Sequence, residues 1–554
     1  MAAKPVEITT PTIYLKWLVG VVFLCPECGS KLEHVYNDGG RKVVTIKGSF
    51  WVVTNFYRCR NIRCKLNKAF SIVQDSVLKR KKHGVDVWAK VIQHHFKHRI
   101  DYKMISEVMW DDWEVDISPG TVQAICESFE VAARPKIEAG TKAIVQQQER
   151  IVLRLDGAQP EKGRPAFWTF HDNISGKVLH GQMLEKASWE VLVEIFKKIE
   201  KEYGVKIVGG ISDKQSNIVK AFQQFKPSIP HAFCQYHFLD HVAEPIAAKD
   251  SHLLTRLRSE VRDFSLVESH VVENVKPVGK NSPVSDVFAP IIEELKCALA
   301  TTGDSIKTFP GIEAYANLEY VLSRISSLSY IDMPSRAKRS LVTLIDALEQ
   351  LMNTYRPLQE EIGAMLMDFN HLRGILAHKK WKGERIKKLV DKWAYMIQGR
   401  LKRRGVEHDP EQIKWVQATP SMATVEAWQQ WVRLVRSYED GLYLAYDDKD
   451  LAFTNNETES MIHRLKYQFK KWLGRRDIQG AFEVHADSYA KLLDFDFTTE
   501  NITQVLLACE TAVVNEGRQI LHAQYATTRR MWRIRERDTG NMAIFKDNLH
   551  ALSA

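Results

Sequence analysis

Three short apolar runs in this chain each stop at a group able to ligate a metal. Ile151-Val152-Leu153-Arg154-Leu155 ends in Asp156-Gly157, Lys206 to Ile211 delivers Asp213, and His231-Ala232-Phe233 delivers Cys234-Gln235-Tyr236-His237. A further acid, Glu459, sits far along the chain in Thr454-Asn455-Asn456-Glu457-Thr458-Glu459-Ser460. Runs of this length and composition predict buried strands. Carboxylates at neighbouring strand ends can converge on a hard divalent cation such as Mg²⁺, which prefers oxygen ligands. Each acid also has a plainer use. Asp156-Gly157 suits a turn. Asp213 suits a helix cap, and Glu459 suits a capping box with Asn456, as Glu457 does with Thr454.

A second constellation lies near the start. Cys25-x-x-Cys28 and Cys59-x4-Cys64 present two thiolate pairs at ligand spacing, with His34 as a substitute ligand. Four thiolates satisfy tetrahedral Zn²⁺, and the metal replaces a core that so few residues cannot build. The intervening runs Val43 to Ile46 and Phe50 to Tyr57 read as strands, with a turn at Asp38-Gly39-Gly40 ahead of them. The expectation is a zinc ribbon with a structural, closed metal site.

The elements that must position these groups follow in order. Lys79-Arg80-Lys81-Lys82 is a solvated linker and, equally, a phosphate-contacting arm. Residues 85 to 133 predict three helices: one with Trp88, Val91, Ile92 and Phe96 at helical spacing, one over roughly Tyr102 to Met109, and one beginning at Ser118-Pro119 and carrying Val122, Ile125, Cys126 and Phe129. That arrangement suits a helix-turn-helix, although the third helix has few basic residues. Ala166 to His171 and Lys177 to Met183 predict a hairpin, Ser188 an N-cap for a helix to about Tyr203, and Gln215 to Phe225 a further helix. Residues 240 to 450 are expected to be mostly helical, with Leu341, Leu344, Ile345, Leu348, Leu351 and Met352 on one face and Val271 to Ser285 as a loop. The segment after Glu459 becomes a basic helix whose His463, Arg464, Lys466, Lys470, Arg475 and Arg476 are expected to meet DNA phosphates, although such a face also suits plain solvation, and the tail holds another arginine cluster around Trp532.

Length and charge bound the rest. At 554 residues the chain is expected to be multidomain, and its formal charge of +10 favours a polyanionic partner, with nucleic acid ahead of membrane. Eight cysteines, half of them at metal-ligand spacing, do not form a disulfide framework and suit a reducing cytoplasm. The run Ile13 to Leu24 is too short for a membrane span and leads into Cys25 without a small-residue cleavage site.

With Leu155-Asp156-Gly157, Ser212-Asp213, Cys234-x-x-His237 and Asn455-Asn456-x-x-Glu459 in view, the chain resembles the DDE transposases of bacterial and archaeal insertion sequences, in the Mutator-related group that carries a Cys-x-x-His motif. Lys214 stands where a Gly often follows the second acid, and Ile462-His463 where an Asn is common. The resemblance implies a ribonuclease-H-like α/β catalytic core interrupted by a large all-α insertion. It divides the chain into a zinc ribbon (1–78), a helix-turn-helix domain (79–147), the first part of the core (148–240), the insertion (241–450), the last part of the core (451–495) and a basic helical tail (496–554). It implies Asp156, Asp213 and Glu459 as ligands of two catalytic Mg²⁺ ions (or Mn²⁺ in their place), with Glu459 favoured over Glu457, and Cys234 and His237 as support beside them. The implied activity is cleavage of element ends and strand transfer into target DNA, by at least a dimer, associated with the nucleoid of a prokaryotic cell. A DNA-binding regulator with a dead catalytic fold, or a nuclease that cuts without joining, would share the same scaffold.

Overall fold

The computed structural model describes residues 12–15, 24–71, 78, 81–159, 164–274, 291, 293–302, 308–328, 335–403, 422–474, 478–510, 512–528 and 530. The chain is mixed α/β and mostly helical, and it divides into two compact units. Unit 1 comprises Met1–Val208, Lys220–Pro227 and Asn456–Ala554; unit 2 comprises Gly209–Val219 and Ser228–Asn455.

Unit 1 opens with a small sheet of β1 (Thr12–Leu15), β2 (Leu32–Asn37), β3 (Arg41–Thr45), β4 (Gly48–Cys59) and β5 (Phe70–Ser71), in which β4 is central and pairs with each of the others. The predicted turn between β2 and β3 forms as the sequence demands. Asp38 Oδ1 accepts from the backbone N–H groups of Gly40 and Thr54, and Gly40 takes a φ of +71° that favours glycine. Val43 and Val52 form its core, with Phe50 packed against them.

Three helices follow. Val85–Ile92 buries Trp88, Val91 and Ile92 as expected and runs on into a π turn, Gln93–Lys97. The second helix, Tyr102–Trp113, starts on an Asp101 cap. The third begins at Pro119 with the Ser118 hydroxyl accepting from the Thr121 N–H, so the cap-and-proline signal is realised. It is longer than predicted, reaching Gln148 over 30 residues. Helices Gln479–Leu492 and Thr499–Ala508 pack on it and share its aromatic core, which includes Phe129, Phe482 and Tyr489.

The third helix leads directly into the second sheet. This sheet comprises β6 (Arg150–Ala158), β7 (Ala166–Asp172), β8 (Val178–Leu184), β9 (Lys206–Ser212) and β10 (His231–Phe233), in the order β10-β9-β6-β7-β8. The predicted hairpin is present: β6, β7 and β8 are successively antiparallel, with Asp156 opposite Thr169. Ser188 occupies the N-cap of helix Trp189–Tyr203, but its hydroxyl makes no cap bond there. The predicted helix after Asp213 spans Ser216–Phe225.

In unit 2, β10 pairs in parallel with the end of β9, Ala232 facing Ile211 in register. The helices Gln235–Asn274, Pro310–Leu328, Ser335–Leu376, Gly383–Arg403 and Met422–Leu442 form one apolar core, which includes the predicted face Leu341, Ile345, Leu348, Leu351 and Met352. The loop expected over Val271 to Ser285 is helical through Asn274, because the helix from Gln235 runs that far, and the remainder of that range lies outside the described residues.

Candidate functional site

The four thiols of the amino-terminal sheet meet. Cys25 Sγ lies 3.6 Å from Cys64 Sγ and Cys28 Sγ 3.5 Å from Cys59 Sγ, and all four atoms fall within 4.8 Å of one another. Tetrahedral Zn²⁺ with bonds of about 2.3 Å needs sulfurs roughly 3.8 Å apart. The donor set therefore fits structural zinc. Local backbone supports it: Gly29, just past the first pair, has a φ of +70°. The Asn61 and Leu66 N–H groups each point at a thiol sulfur, Cys59 and Cys64 respectively, at 3.4 Å. Hydrogen bonds to sulfur favour the thiolate. The Ser30 hydroxyl and N–H pull the Cys28 thiol down to about 6, whereas burial pushes Cys59 up to about 12. His34 is not part of the cluster; its Nε2 is bonded to Asn37 Oδ1 at 2.7 Å.

The carboxylates fall in both units. In unit 1, Asp156 projects from β6 and is 9% exposed, with Oδ1 accepting from the Gly157 N–H at 2.8 Å. Residues directly opposite on antiparallel strands share a face. Thr169 and His171 of β7 therefore lie on the same face as Asp156 and Arg154. His171 Nε2 contacts Thr169 Oγ1 at 2.9 Å, and burial, with the nearby charges of Arg154 and Arg464, pushes its pKa down to about 3. The imidazole is thus neutral at ordinary pH.

Helix Asn456–Leu473 lies over β6 in this unit. Its first turn carries both Glu457 and Glu459. They are not equivalent. Glu457 accepts from Arg154 Nη1 at 2.6 Å, and Arg154 also donates to Asn173 Oδ1. Glu457 is thus committed to a buried guanidinium, whereas Glu459 is half-buried. Further along, Lys466 Nζ donates to the Gln159 carbonyl at 2.7 Å and lies near enough to Asp156 to feel its charge. Met461, Ile462, Leu465, Phe469 and Trp472 face the core, so His463, Arg464 and Lys470 form an exposed basic face.

In unit 2, Asp213 follows the last residue of β9, and its Oδ2 accepts from Gln215 Nε2 at 2.6 Å. Its Oδ1 is buried and has no hydrogen-bond partner among the described residues. Burial pushes this carboxyl up, and the charges of His237 and His241 offset part of the shift. Cys234 is fully buried between β10 and helix Gln235–Asn274; its N–H donates to the Ser212 carbonyl, and its sulfur accepts from the Asn455 N–H at 3.2 Å. His237 occupies the first turn of that helix.

Of the basic residues predicted to touch nucleic acid, Lys79, Arg80, Arg475 and Arg476 lie outside the described residues, as does most of the arginine-rich tail. Sequence patterning missed Arg154, Thr169 and His171. Arg154 is the one charge within the run Ile151 to Leu155, and that was the available signal. It also missed two buried acids of the third helix. Glu127 pairs with Arg518 and His522, and Glu130 with His485, whose other nitrogen bonds Tyr525. These contacts fasten the helix over residues 512–528 to the rest of unit 1. Among the described residues no helix is long and apolar enough to cross a membrane.

No family model matches the chain, and no curated protein matches it.

Proposed function

We propose that the chain is a DDE transposase that binds the ends of a mobile DNA element and catalyses their cleavage and transfer. The observation that carries this reading is the setting of the first two acids. Asp156 lies on β6 and Asp213 directly follows β9, the strand beside β6 in the order β10-β9-β6-β7-β8. That order, with three antiparallel strands followed by two more on the other side of the first, supports a ribonuclease-H-like core. The long helical segment of unit 2 between β10 and Glu459 matches an all-α insertion into such a core.

The buried Asp213 Oδ1, without a hydrogen-bond partner among the described residues, fits a cation ligand, because an oxygen in that state otherwise costs desolvation for nothing in return. Asp156, Asp213 and Glu459 would hold the two Mg²⁺ ions. Bound there, the metals would activate the attacking oxygen and stabilise the leaving one during in-line displacement at phosphorus. The chain's own side chains do the rest. Arg154 holds Glu457 away from metal duty, so Glu459 is the third acid. The exposed face of His463, Arg464 and Lys470 meets phosphates and orients the strand without reading sequence. Lys466, anchored on Gln159, sets the distance of the basic helix from Asp156. The three helices from Val85 to Gln148 serve as a helix-turn-helix against DNA, with the zinc ribbon beside them.

The test is joining. Full-length chain, Mg²⁺, a pre-nicked element end and a supercoiled target are incubated, and products are separated by size. Joined product that vanishes in Asp156→Ala, Asp213→Ala and Glu459→Ala while end binding persists supports the proposal. Cutting without joining marks a nuclease instead, and binding with no chemistry marks a regulator.

A further inference from the structure

A pocket of about 360 Å³ opens in unit 1 at the amino-terminal end of helix Pro119–Gln148, lined by Lys81, Lys82, His83, Ser118, Thr121 and Arg518 among others. Its lining sets three cationic side chains, Lys81, Lys82 and Arg518, against one carboxylate, Asp116. Among the described residues neither Lys81 nor Lys82 has an ion-pair partner, and Arg518 shares its one carboxylate, Glu127, with His522. Asp116 also lines the pocket, where its backbone carbonyl bonds the ring of His83. The positive end of a 30-residue helix adds to the same field.

The independent sign of a ligand is His83. It is 5% exposed, and its Nε2 is buried without a partner among the described residues. A buried polar atom left open is rare and costly unless something else satisfies it. With the Asp116 carbonyl accepting from one nitrogen, the ring is fixed, and Nε2 donates to an anionic guest when the ring takes up a proton beside it. The pocket also has a built frame. The Val44 N–H donates to the Lys82 carbonyl, the Gly84 N–H donates to the Val44 carbonyl, and Arg41 donates to the carbonyls of Leu78 and Lys81. The main chain of the basic segment is thereby stitched to the ribbon, which fixes where its lysines leave the backbone. The Trp88 ring under Lys81 Nζ, at 5.5 Å, supplies a flat wall beside the charges.

We infer that this pocket is a receptor for one phosphate group, held by Lys81, Lys82, His83 and the Ser118 and Thr121 hydroxyls at the helix start. Resting on the DNA-binding function proposed above, that group is a backbone phosphodiester of the bound duplex. It fixes the register of the three-helix region on DNA without reading bases.

Two arms test this with the full zinc-loaded chain. In the first, acylation of Lys81 and Lys82 is followed by peptide mass spectrometry with inorganic phosphate or with chloride at matched ionic strength. Phosphate is expected to slow modification at both positions but not at exposed Lys103, and His83→Gln is expected to remove that protection while amide exchange shows an intact fold. In the second arm, duplex affinity is measured against salt. Lys82→Gln is expected to reduce the slope of log K against log salt by about 0.9, the amount one lost phosphate contact produces, and Lys103→Gln is expected to leave it unchanged. Protection by phosphate without any duplex binding would keep the receptor, overturn the DNA source, and point to free phosphate or a nucleotide. Duplex binding with an unchanged slope and no protection would overturn the receptor while the DNA-binding function stood.

Discussion

Removing the metal from the amino-terminal sheet should unfold that sheet and little else. Its own apolar core is Val43 and Val52, 0% and 2% exposed, with Phe50 against them. Burying two valines contributes about 3–6 kcal/mol. Structural zinc in small modules contributes roughly 10–16 kcal/mol, so the metal outweighs those valines by at least about 4 kcal/mol. The helices after Val85 carry a large core of their own. Stripping the chain with a strong chelator, or replacing Cys59 by Ser, is therefore expected to collapse amide protection across β3 and β4 while the buried turns of helix Pro119–Gln148 stay protected. Because Gly84 and Lys82 bond the backbone of Val44, protection at Gly84 is expected to fall as well. Hydrogen-exchange mass spectrometry reads all of this, and a colorimetric chelator is expected to recover one zinc per chain. Amides of β3 and β4 that remain protected in the stripped protein would refute the reasoning, since apolar packing would then be holding the sheet without the metal.

Glu457 is 79% exposed on its side chain, yet Glu457→Gln is expected to cost about 2–3 kcal/mol in denaturant unfolding, because it strips a buried guanidinium of its carboxylate. The same variant should keep strand transfer, whereas Glu459→Gln loses it; equal activity in both would reverse the assignment. Burial raises the Asp213 pKa above its unfolded value near 3.9, so the native state loses stability as pH rises through that window. Asp213→Asn is accordingly expected to stabilise the metal-free chain by about 1 kcal/mol at neutral pH and not at all below about pH 3, as checked by denaturant titration at both values. His95 and His171 are pushed by burial to about 4 and about 3, so unfolding gains protons from roughly pH 6.5 down to about 4 for the first and about 3 for the second. Stability should be complete above about pH 6.5 and fall by up to about 1.4 kcal/mol per unit per histidine on acidification, and a denaturant midpoint that is flat across that window would refute the assignment.

The elements that carry the acids were legible because each announces itself locally. Apolar runs ending in Asp156 and Asp213 are strands, and the cysteine pairs meet at the spacing their order suggests. Ser118-Pro119 starts a helix because a hydroxyl acceptor and a residue lacking an N–H suit that position. What escaped was set by distant partners. Nothing near Phe129 signals that its helix continues to Gln148, since the packing of helices Gln479–Leu492 and Thr499–Ala508 sustains it. Arg154 and Glu457 are 303 positions apart, and no periodicity links them. Glu127 and Glu130 look like solvent-facing charges until His485, Arg518 and His522 close over them.

That last closure makes the segment from 512 to 528 a stopper rather than an appendage. Cutting the polypeptide ahead of it would strip Glu127, a carboxylate 3% exposed, of both its cations, take Arg518 from beside the lysines at residues 81 and 82, and leave an imidazole with one hand empty. A shortened chain would thus be more than lighter: the recess that holds those two lysines would have lost one of its three cations.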